Sequence, residues 1–399
     1  MNILLSPIAY LPMKSGVPIL TQRLASAFVK KGHQVVIVTP KLERAHPSFE
    51  MIDGIEVHRM PFVLAWNSLF QRPQDGFLQF CRHAPIDINR LVRLAGEKQF
   101  DVINIHSLIG PHLPYLLLAQ AVAPRPLVVS LHGNEFFRLD AGRRGVRRWL
   151  LRAALRRAAR ITAVSAHLAG EAARFCPEAT DKMVTIPNGV AVEEFRGAAG
   201  FAFPAPYLLS LARLNPLKGH DVLLTAFREV AARAPDVHLL IAGDGPQRVR
   251  LHAITLALGL QERVTFLGDV GREQVKALLA GCECLVLASW NEGMPTVVLE
   301  AMAAGKAVIG TRVGGVPEVV ADGETGRLVP PGDARALAEA MGALLRDREQ
   351  RNAMGEKGRA VVEAQHDFTH TVERYLAVYH QAIRQGAGRP EPGTRREGP

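Results

Sequence analysis

Cysteine is scarce in this chain, with only Cys81, Cys176, Cys282 and Cys284 among 399 residues. Four thiols so scattered exclude a disulfide framework. Cys282 and Cys284 stand at the start of an apolar run with no histidine pair nearby, so both are read as reduced core thiols and not as a metal site. Reduced thiols fit a cytosolic compartment. Aromatic residues make up 6% and no nucleic-acid reader motif is present, so nucleic-acid binding would rest on charge alone and no such partner is expected. No stretch reaches the roughly 18 continuous apolar residues of a membrane span. The first residues, MNILLSP, have no basic segment and no long apolar run, which argues against a signal peptide. The G-x-G-x-x-G fingerprint of dinucleotide binding is missing too, since SPIAYLPMKSG has one glycine and AGDGPQR lacks the third. That sets aside an NAD-dependent dehydrogenase.

What is abundant is positive charge. The net charge is +10 and the isoelectric point about 9.7, a balance that suits an anionic membrane surface or a phosphorylated ligand. The densest part is GRRGVRRWLLRAALRRAAR, residues 142–160, with eight arginines. At about 100° per residue, Arg148, Arg152 and Arg156 form one stripe, while Val146, Trp149, Leu150 and Ala153 gather on another face. Two readings stay open: a solvated, partly packed surface helix, or a helix resting on anionic lipid.

Short apolar, β-branched runs alternate with helical patterns from end to end. NILLSP (2–7), QVVIVT (34–39), DVINIH (101–106), LVVSLH (127–132) and ITAVS (161–165) come first. YLLSLA (207–212), HLLIAG (238–243), VTFLG (264–268), CLVLAS (284–289) and AVIGT (307–311) follow. This alternation predicts parallel sheets covered by helices on both faces. Between the two series RGAAGFAFPAP, about 196–206, reads as a linker. Two Rossmann-like halves joined there would leave a cleft, with ligands at the carboxyl ends of the strands. FTHTVERYLAVYHQAI (368–383) predicts a terminal helix with an apolar face.

The segment NEGMPTVVLE, residues 291–300, sets Glu292 and Glu300 around a mostly apolar run. Carboxylates among buried-type residues are costly unless something pairs with them. CLVLAS reads as a buried strand and WNEG as a turn. Pro295 suits the first turn of a helix running TVVLEAMAAG and ended by Gly305. Glu292 then lies in the loop, and Glu300 about one and a half turns into the helix. Free amides at 295–298 would hold phosphate, and the two glutamates would accept hydrogen bonds from sugar hydroxyls. The alternative is a glutamate offsetting the helix dipole plus a buried one paired to an arginine. Arg213 and Lys218, in LARLNPLKGHD, follow the first strand of the second half, where two cations suit a diphosphate leaving group.

The order ARLNPLKG, AGDGP, FLG, NEGMPTVVLEAMAAGKAVIGT, GGVPEVV and DGETGRLVPPGD covers most of residues 207–333. It resembles the donor-binding domain of the retaining glycosyltransferases of family 4 (glycosyl transferases group 1), which have the GT-B fold. Glu292 and Glu300 match that family's E-x7-E motif. In the first half SPIAYLPMKSGVP resembles the family's first loop, with Ser15-Gly16 where a glycine pair is usual, so Gly16 alone carries over. LHGNEF resembles the segment whose histidine lies near the reacting sugar and points to His132. IPNGVAVEEF resembles the NGVD segment, with Ala191 where aspartate is common, which limits this loop to a role in shape.

The resemblance implies an α/β architecture of two doubly wound parallel-sheet domains facing each other across a cleft. Residues 1–198 would form the acceptor-side domain and 199–370 the donor domain. Residues 371–385 would be a helix packing back towards the first domain, and 386–399 a disordered tail. It implies transfer of a sugar from a nucleotide sugar to an acceptor hydroxyl with the anomeric configuration retained, without metal or other cofactor. Glu300 would bind ribose hydroxyls and Glu292 the donor sugar. Arg213 and Lys218 would stabilise the departing diphosphate, and His132 would contact the sugar. Gly16, Gly293, Met294, Pro295 and Thr296 would line the donor site. Domain closure would exclude water. A glycolipid or polysaccharide acceptor would suit a cytoplasmic protein held peripherally on the inner leaflet through residues 142–160. A soluble acceptor, an epimerase, a phosphorylase and a non-catalytic binding protein are the alternatives.

Overall fold

Strands that are apolar at every position leave no face for water, so they build parallel sheets with helices on both sides. The computed structural model describes residues 1–13, 15–43, 45–62, 73–133, 135–136 and 145–387. The expected tail from 388 on, residues 63–72 of the loosely patterned stretch and residues 142–144 of the arginine-rich segment lie outside them. The chain divides into two compact units. Unit 1 holds Met1–Val164, Leu168–Ile186 and the chain from Val372 on, and unit 2 holds Ser165–His167 and Pro187–Thr371.

Unit 1 runs β1 (Asn2–Pro7), α1 (Gly16–Lys30), β2 (Gln34–Pro40), β3 (Phe49–Ile52), β4 (Ile55–Met60), α2 (Pro73–Lys98) and β5 (Val102–His106). It continues with α3 (His112–Val122), β6 (Leu127–Leu131), α4 (Gly145–Arg157), β7 (Arg160–Ala163), α5 (Ala166–Phe175) and β8 (Met183–Thr185). The sheet order is β3-β4-β2-β1-β5-β6-β7-β8, with β3 antiparallel to β4. That hairpin turns on Asp53-Gly54, both at positive φ, the pair that fits the twist of a two-residue turn.

Unit 2 runs β9 (Tyr207–Leu211), α6 (His220–Arg233), β10 (His238–Ala242), α7 (Arg248–Ala257), β11 (Val264–Gly268), α8 (Arg272–Gly281) and β12 (Leu285–Leu287). Then follow α9 (Thr296–Ala303), β13 (Val308–Thr311), β14 (Gly326–Val329), α10 (Ala334–Arg346) and α11 (Arg348–Gln365). Its all-parallel sheet has the order β11-β10-β9-β12-β13-β14. Leu208, Ile241, Val286 and Ile309 form its core with Phe227 and Met341 of the covering helices. In each sheet the strand order reverses once, between β1 and β5 and between β9 and β12. Such a reversal opens a crevice at the carboxyl ends of the strands.

The expected linker at 196–206 is part of unit 2. Phe201 N–H donates to the Ala277 carbonyl at 2.8 Å, and the Tyr207 hydroxyl donates to Leu278 O at 2.9 Å, so the segment is bonded along α8. The chain changes units instead at Ile186/Pro187. The following NGV segment pairs with the start of the last helix, α12 (Phe368–Ala387), through Val190 N–H to His366 O and Phe368 N–H to Val190 O.

From Val372 on, α12 belongs to unit 1. Tyr375 and Tyr379 are fully buried there, and the Tyr379 hydroxyl donates to Asn104 Oδ1 at 2.7 Å. Asn104 Nδ2 donates to Ser130 Oγ, which also accepts from Thr162 Oγ1. A polar chain thus crosses β5, β6 and β7 inside the core.

Helix α4 corrects the expected apolar face. Leu150, Leu151, Ala154, Leu155 and Ala158 are buried, whereas Trp149 is 67% exposed. Packing chose the face that keeps the arginines out. Arg156 Nε donates to Glu178 at 2.6 Å, Arg152 lies 3.5 Å from the same carboxylate, and Arg148 sits over the Phe175 ring. Among the described residues no helix is long and apolar enough to cross a membrane.

Tyr379→Phe should lower the stability of unit 1 by about 1–2 kcal/mol, the loss of one buried hydrogen bond. Denaturant unfolding measures it; an unchanged midpoint would mean the polar chain contributes nothing.

Candidate functional site

The crevice between β9 and β12 is built from two loops that brace each other. After β9, the Asn215 side chain accepts from Leu217 N–H at 3.0 Å and starts the 3₁₀ turn Pro216–Lys218. Gly219 follows at φ +62°, and a Cβ there would lie 2.1 Å from the Ala288 carbonyl oxygen, so only glycine lets the turn approach β12. Trp290 N–H donates to Leu217 O at 2.8 Å and ties the loops together. As a result Lys218 Nζ lies 2.6 Å from Glu292 Oε1, which also accepts from Ser289 Oγ at 2.6 Å. The Glu292 side chain is only 8% exposed and Lys218 24%. Arg213, on the same loop, is exposed, and its guanidinium has no partner among the described residues.

The loop carrying Glu292 is held from three sides. Gly315 N–H donates to Gly293 O at 3.0 Å, and Asn188 Nδ2 donates to Met294 O at 2.8 Å. Gly314, at φ +52°, approaches so closely that a Cβ would lie 1.7 Å from the Glu292 carbonyl oxygen. Asn188 belongs to the IPNGV segment, which the sequence reading confined to shape. It supports the backbone next to Pro295.

Helix α9 begins at Thr296 as expected, with Pro295 as its cap. No side chain caps it and its first turn holds no acidic residue. Of the expected amides at 295–298, Pro295 has none and Val298 N–H donates to Pro295 O at 3.1 Å. The N–H groups of Thr296 and Val297 remain for an anion. Glu300, 12% exposed, gives its Oε1 to Arg272 Nη1. Arg272 Nε and Nη2 reach Glu194 Oε2 at 2.8 and 2.6 Å. The arginine pairing held open as an alternative is therefore present at Glu300. Arg272 was not singled out from the sequence because no motif marks it, and Glu194, within IPNGVAVEEF, gains its partner only in the fold. Glu292 and Glu300 each keep Oε2 free of a partner among the described residues.

Gly16 and His132 lie in unit 1. Gly16 opens α1, is exposed, and an added Cβ would meet nothing within 4 Å, so the chain itself does not demand glycine there. His132 follows β6. Its backbone N–H and that of Gly133 donate to the two oxygens of Glu135 at 2.9 and 2.7 Å. Burial raises the Glu135 carboxyl, and these bonds oppose the rise. His132 Nε2 lies 3.2 Å from His106 Nδ1. Burial pushes His112 and His132 down to about 4 and His106 well below its usual value, with His132 and His112 adding to the effect on His106. These imidazoles are neutral at pH 7. Cys282 and Cys284 are buried, and burial pushes the Cys282 thiol up to about 12. Among the described residues no group of three His, Cys, Asp or Glu is placed to hold a metal ion.

Comparison with known proteins adds the following. Residues 14–194 match the family described as Glycosyltransferase Family 4, and residues 192–361 match Glycosyl transferases group 1. The phosphatidyl-myo-inositol mannosyltransferase of Mycolicibacterium smegmatis is 31% identical over 336 residues, covering 82% of this chain and 81% of that protein. The N-acetyl-alpha-D-glucosaminyl L-malate synthase of Bacillus anthracis is 26% identical over 389 residues, 94% of this chain and 96% of that protein. Among solved structures, the sucrose-phosphate synthase of Thermosynechococcus elongatus superposes with a TM-score of 0.83 at 21% identity, covering 96% of this chain and 99% of that one.

The buried histidines make the protein sensitive to acid. His220, beside Lys218, is likewise lowered to about 4, by burial first and by Lys218 second. A histidine with a depressed pKa in the fold takes its proton more readily when unfolded. Stability therefore falls as pH drops from about 6.5 towards 4, by up to about 3 kcal/mol for His112. Glu135, shifted the other way, offsets part of this. Unfolding midpoints followed from pH 7 to 4.5 should decline, and less steeply in His112→Gln. Equal slopes would contradict the assignment.

Proposed function

Because the chain belongs to the glycosyltransferases of family 4, group 1, and has their GT-B fold, we propose that it transfers a sugar from a nucleoside-diphosphate sugar to an acceptor hydroxyl, with the anomeric configuration retained and without a divalent metal. The observation that carries this reading is the convergence, at the β9/β12 crevice, of Arg213, Lys218 and the uncapped start of α9. Two cations and two free amides suit a diphosphate, whose developing negative charge they stabilise as the sugar leaves. In other transferases a magnesium ion supplies that charge; here arginine and lysine do.

Around the diphosphate the glutamates take hydroxyls. Glu292 presents Oε2 to the donor sugar while Lys218 and Ser289 hold its Oε1. Glu300 presents Oε2 to the ribose. Gly293, Met294 and Pro295 shape the loop, and Thr296 supplies an amide. Gly16 and His132 keep the roles that the motif resemblance gives them, a backbone amide for the phosphates and a neutral ring beside the sugar.

For the acceptor we favour a glycolipid or polysaccharide precursor at an anionic membrane surface on the cytoplasmic side. The outward face of α4 supports this: exposed Trp149 stands among Arg152, Arg156 and Arg157, the pairing of indole and cations suited to a headgroup region. The engagement of Arg152 and Arg156 with Glu178 favours a second reading, an ordinary solvated helix and a soluble acceptor hydroxyl.

Thermal unfolding against UDP-, GDP-, ADP- and TDP-sugars tests the donor. One of them at about 100 times its Kd should add roughly 2.7 kcal/mol and raise the transition by several degrees. EDTA should leave the shift intact, Glu300→Ala should remove it, and Lys218→Ala should cut turnover about 100-fold. If no nucleotide sugar moves the transition, the transferase reading is lost. NMR of the product should show the anomeric configuration of the donor; the inverted anomer would refute retention. Co-sedimentation with anionic vesicles at low salt should capture the protein and weaken in Trp149→Ala. Protein left in the supernatant at low salt would favour the soluble acceptor.

A further inference from the structure

Arg272 is held more firmly than a surface arginine needs to be. Its Nε and Nη2 share Glu194 Oε2, and its guanidinium lies 4.8 Å from the centre of the Phe195 ring. Glu194 and Phe195 both sit on the 3₁₀ turn Val192–Phe195, and Arg272 opens α8. The fork is therefore fixed on two elements before its last nitrogen, Nη1, reaches Glu300 on α9. The Arg272 side chain is 31% exposed and that of Glu300 12%, so the pair is open to solvent.

We propose that Arg272 is the positioning residue for Glu300, and that through it the enzyme distinguishes a ribonucleotide donor from its 2′-deoxy counterpart. The proposal rests on the donor-binding reading above. A glutamate on a helix face has three rotatable bonds. An arginine that occupies Oε1 alone fixes the carboxylate plane and turns Oε2 outward. One carboxylate oxygen has two lone pairs, so an oriented Oε2 can accept from both neighbouring hydroxyls of a ribose. Without Arg272, Glu300 loses its direction, and a 2′-hydroxyl gains little over a hydrogen.

Arg272 could instead act as a competitor, holding Glu300 away from the ligand. The two roles predict opposite signs. Calorimetric titration of the full-length protein with UDP, GDP and ADP and with their 2′-deoxy forms separates them. In the wild type the nucleotide that binds best should exceed its 2′-deoxy form by about 10-fold, a hydroxyl bonded to a charged acceptor. Arg272→Gln should weaken the ribonucleotide by a similar factor and the 2′-deoxy form, which keeps one of the two hydroxyls, by much less, so that the ratio falls towards one. Arg272→Lys should recover only part of it, since an ammonium cannot span both glutamates. In turnover, the donor KM should rise with kcat within about twofold, an effect on binding alone.

An equal loss for both nucleotides would make Arg272 merely structural and overturn the proposal. Tighter ribonucleotide binding in Arg272→Gln would overturn it in favour of competition. If Glu300→Ala erases the ribose preference and Arg272→Gln keeps it, the donor reading stands and this proposal falls. If the wild type binds no nucleotide, both fall together.

Discussion

A carboxylate almost out of water requires a cation, and in unit 2 that requirement fixes where two strand-end loops meet. Glu292 is taken up by Lys218 and Ser289, and Lys218 reaches it because Gly219 lets its turn press against β12. Removing one partner of such a pair leaves an uncompensated charge, at a cost of about 3–5 kcal/mol. Glu300 obeys the same rule through Arg272 and Glu194. The groups proposed to meet a donor are thus also the ones that hold the crevice in shape. Loss of activity in a variant at these positions needs a stability measurement beside it before it is read as chemistry.

The two units apply one geometric rule twice. Each parallel sheet reverses its strand order once, and each reversal opens the carboxyl ends of adjacent strands to a ligand. In unit 2 the opening is lined by opposite charges that largely neutralise each other, leaving the exposed Arg213 as the cation without a partner among the described residues. In unit 1 the strand ends carry neutral histidines and the buried Glu135, which fastens two backbone amides. The strand ends of unit 2 thus carry the paired charges, and those of unit 1 the uncharged rings.

Much of this was legible because the physics is local. The ten apolar runs named from the sequence all became strands, since a fully buried parallel strand must be apolar throughout. Pro295 and Gly305 marked the ends of α9 within a residue or two, as their backbone preferences dictate. The hairpin β3–β4 was missed although its Asp53-Gly54 turn was in plain view, because its strands alternate and β3 is the edge strand of the sheet. The Gly/Ala/Pro stretch looked like a linker by composition, yet a backbone hydrogen bond from Phe201 to Ala277 ties it to α8. For α4, helical periodicity alone suggested an apolar face that contained Trp149. Packing rotated the helix to bury the leucines and left the indole outside. Glu135 stands inside LHGNEF, close in sequence to the two amides it accepts from, whereas Arg272 was illegible because its partners Glu194 and Glu300 are distant in sequence. Only the fold brings them together.

The last helix gives the chain an order of events during its synthesis. Tyr375 and Tyr379 complete the core of unit 1 across β5, β6 and β7, yet they are made after the whole of unit 2. While the ribosome is still translating the second unit, the first has a gap where these two rings belong, with Asn104 deprived of one of its bonds. Unit 2 holds nearly all its own pieces by residue 371 and can close first. A nascent chain of this protein therefore carries an unfinished amino-terminal half until its final helix leaves the exit tunnel. A stop codon between Thr371 and Tyr375 would release a protein with a whole second unit and an open first one, a species that chaperones and proteases recognise by its uncovered core.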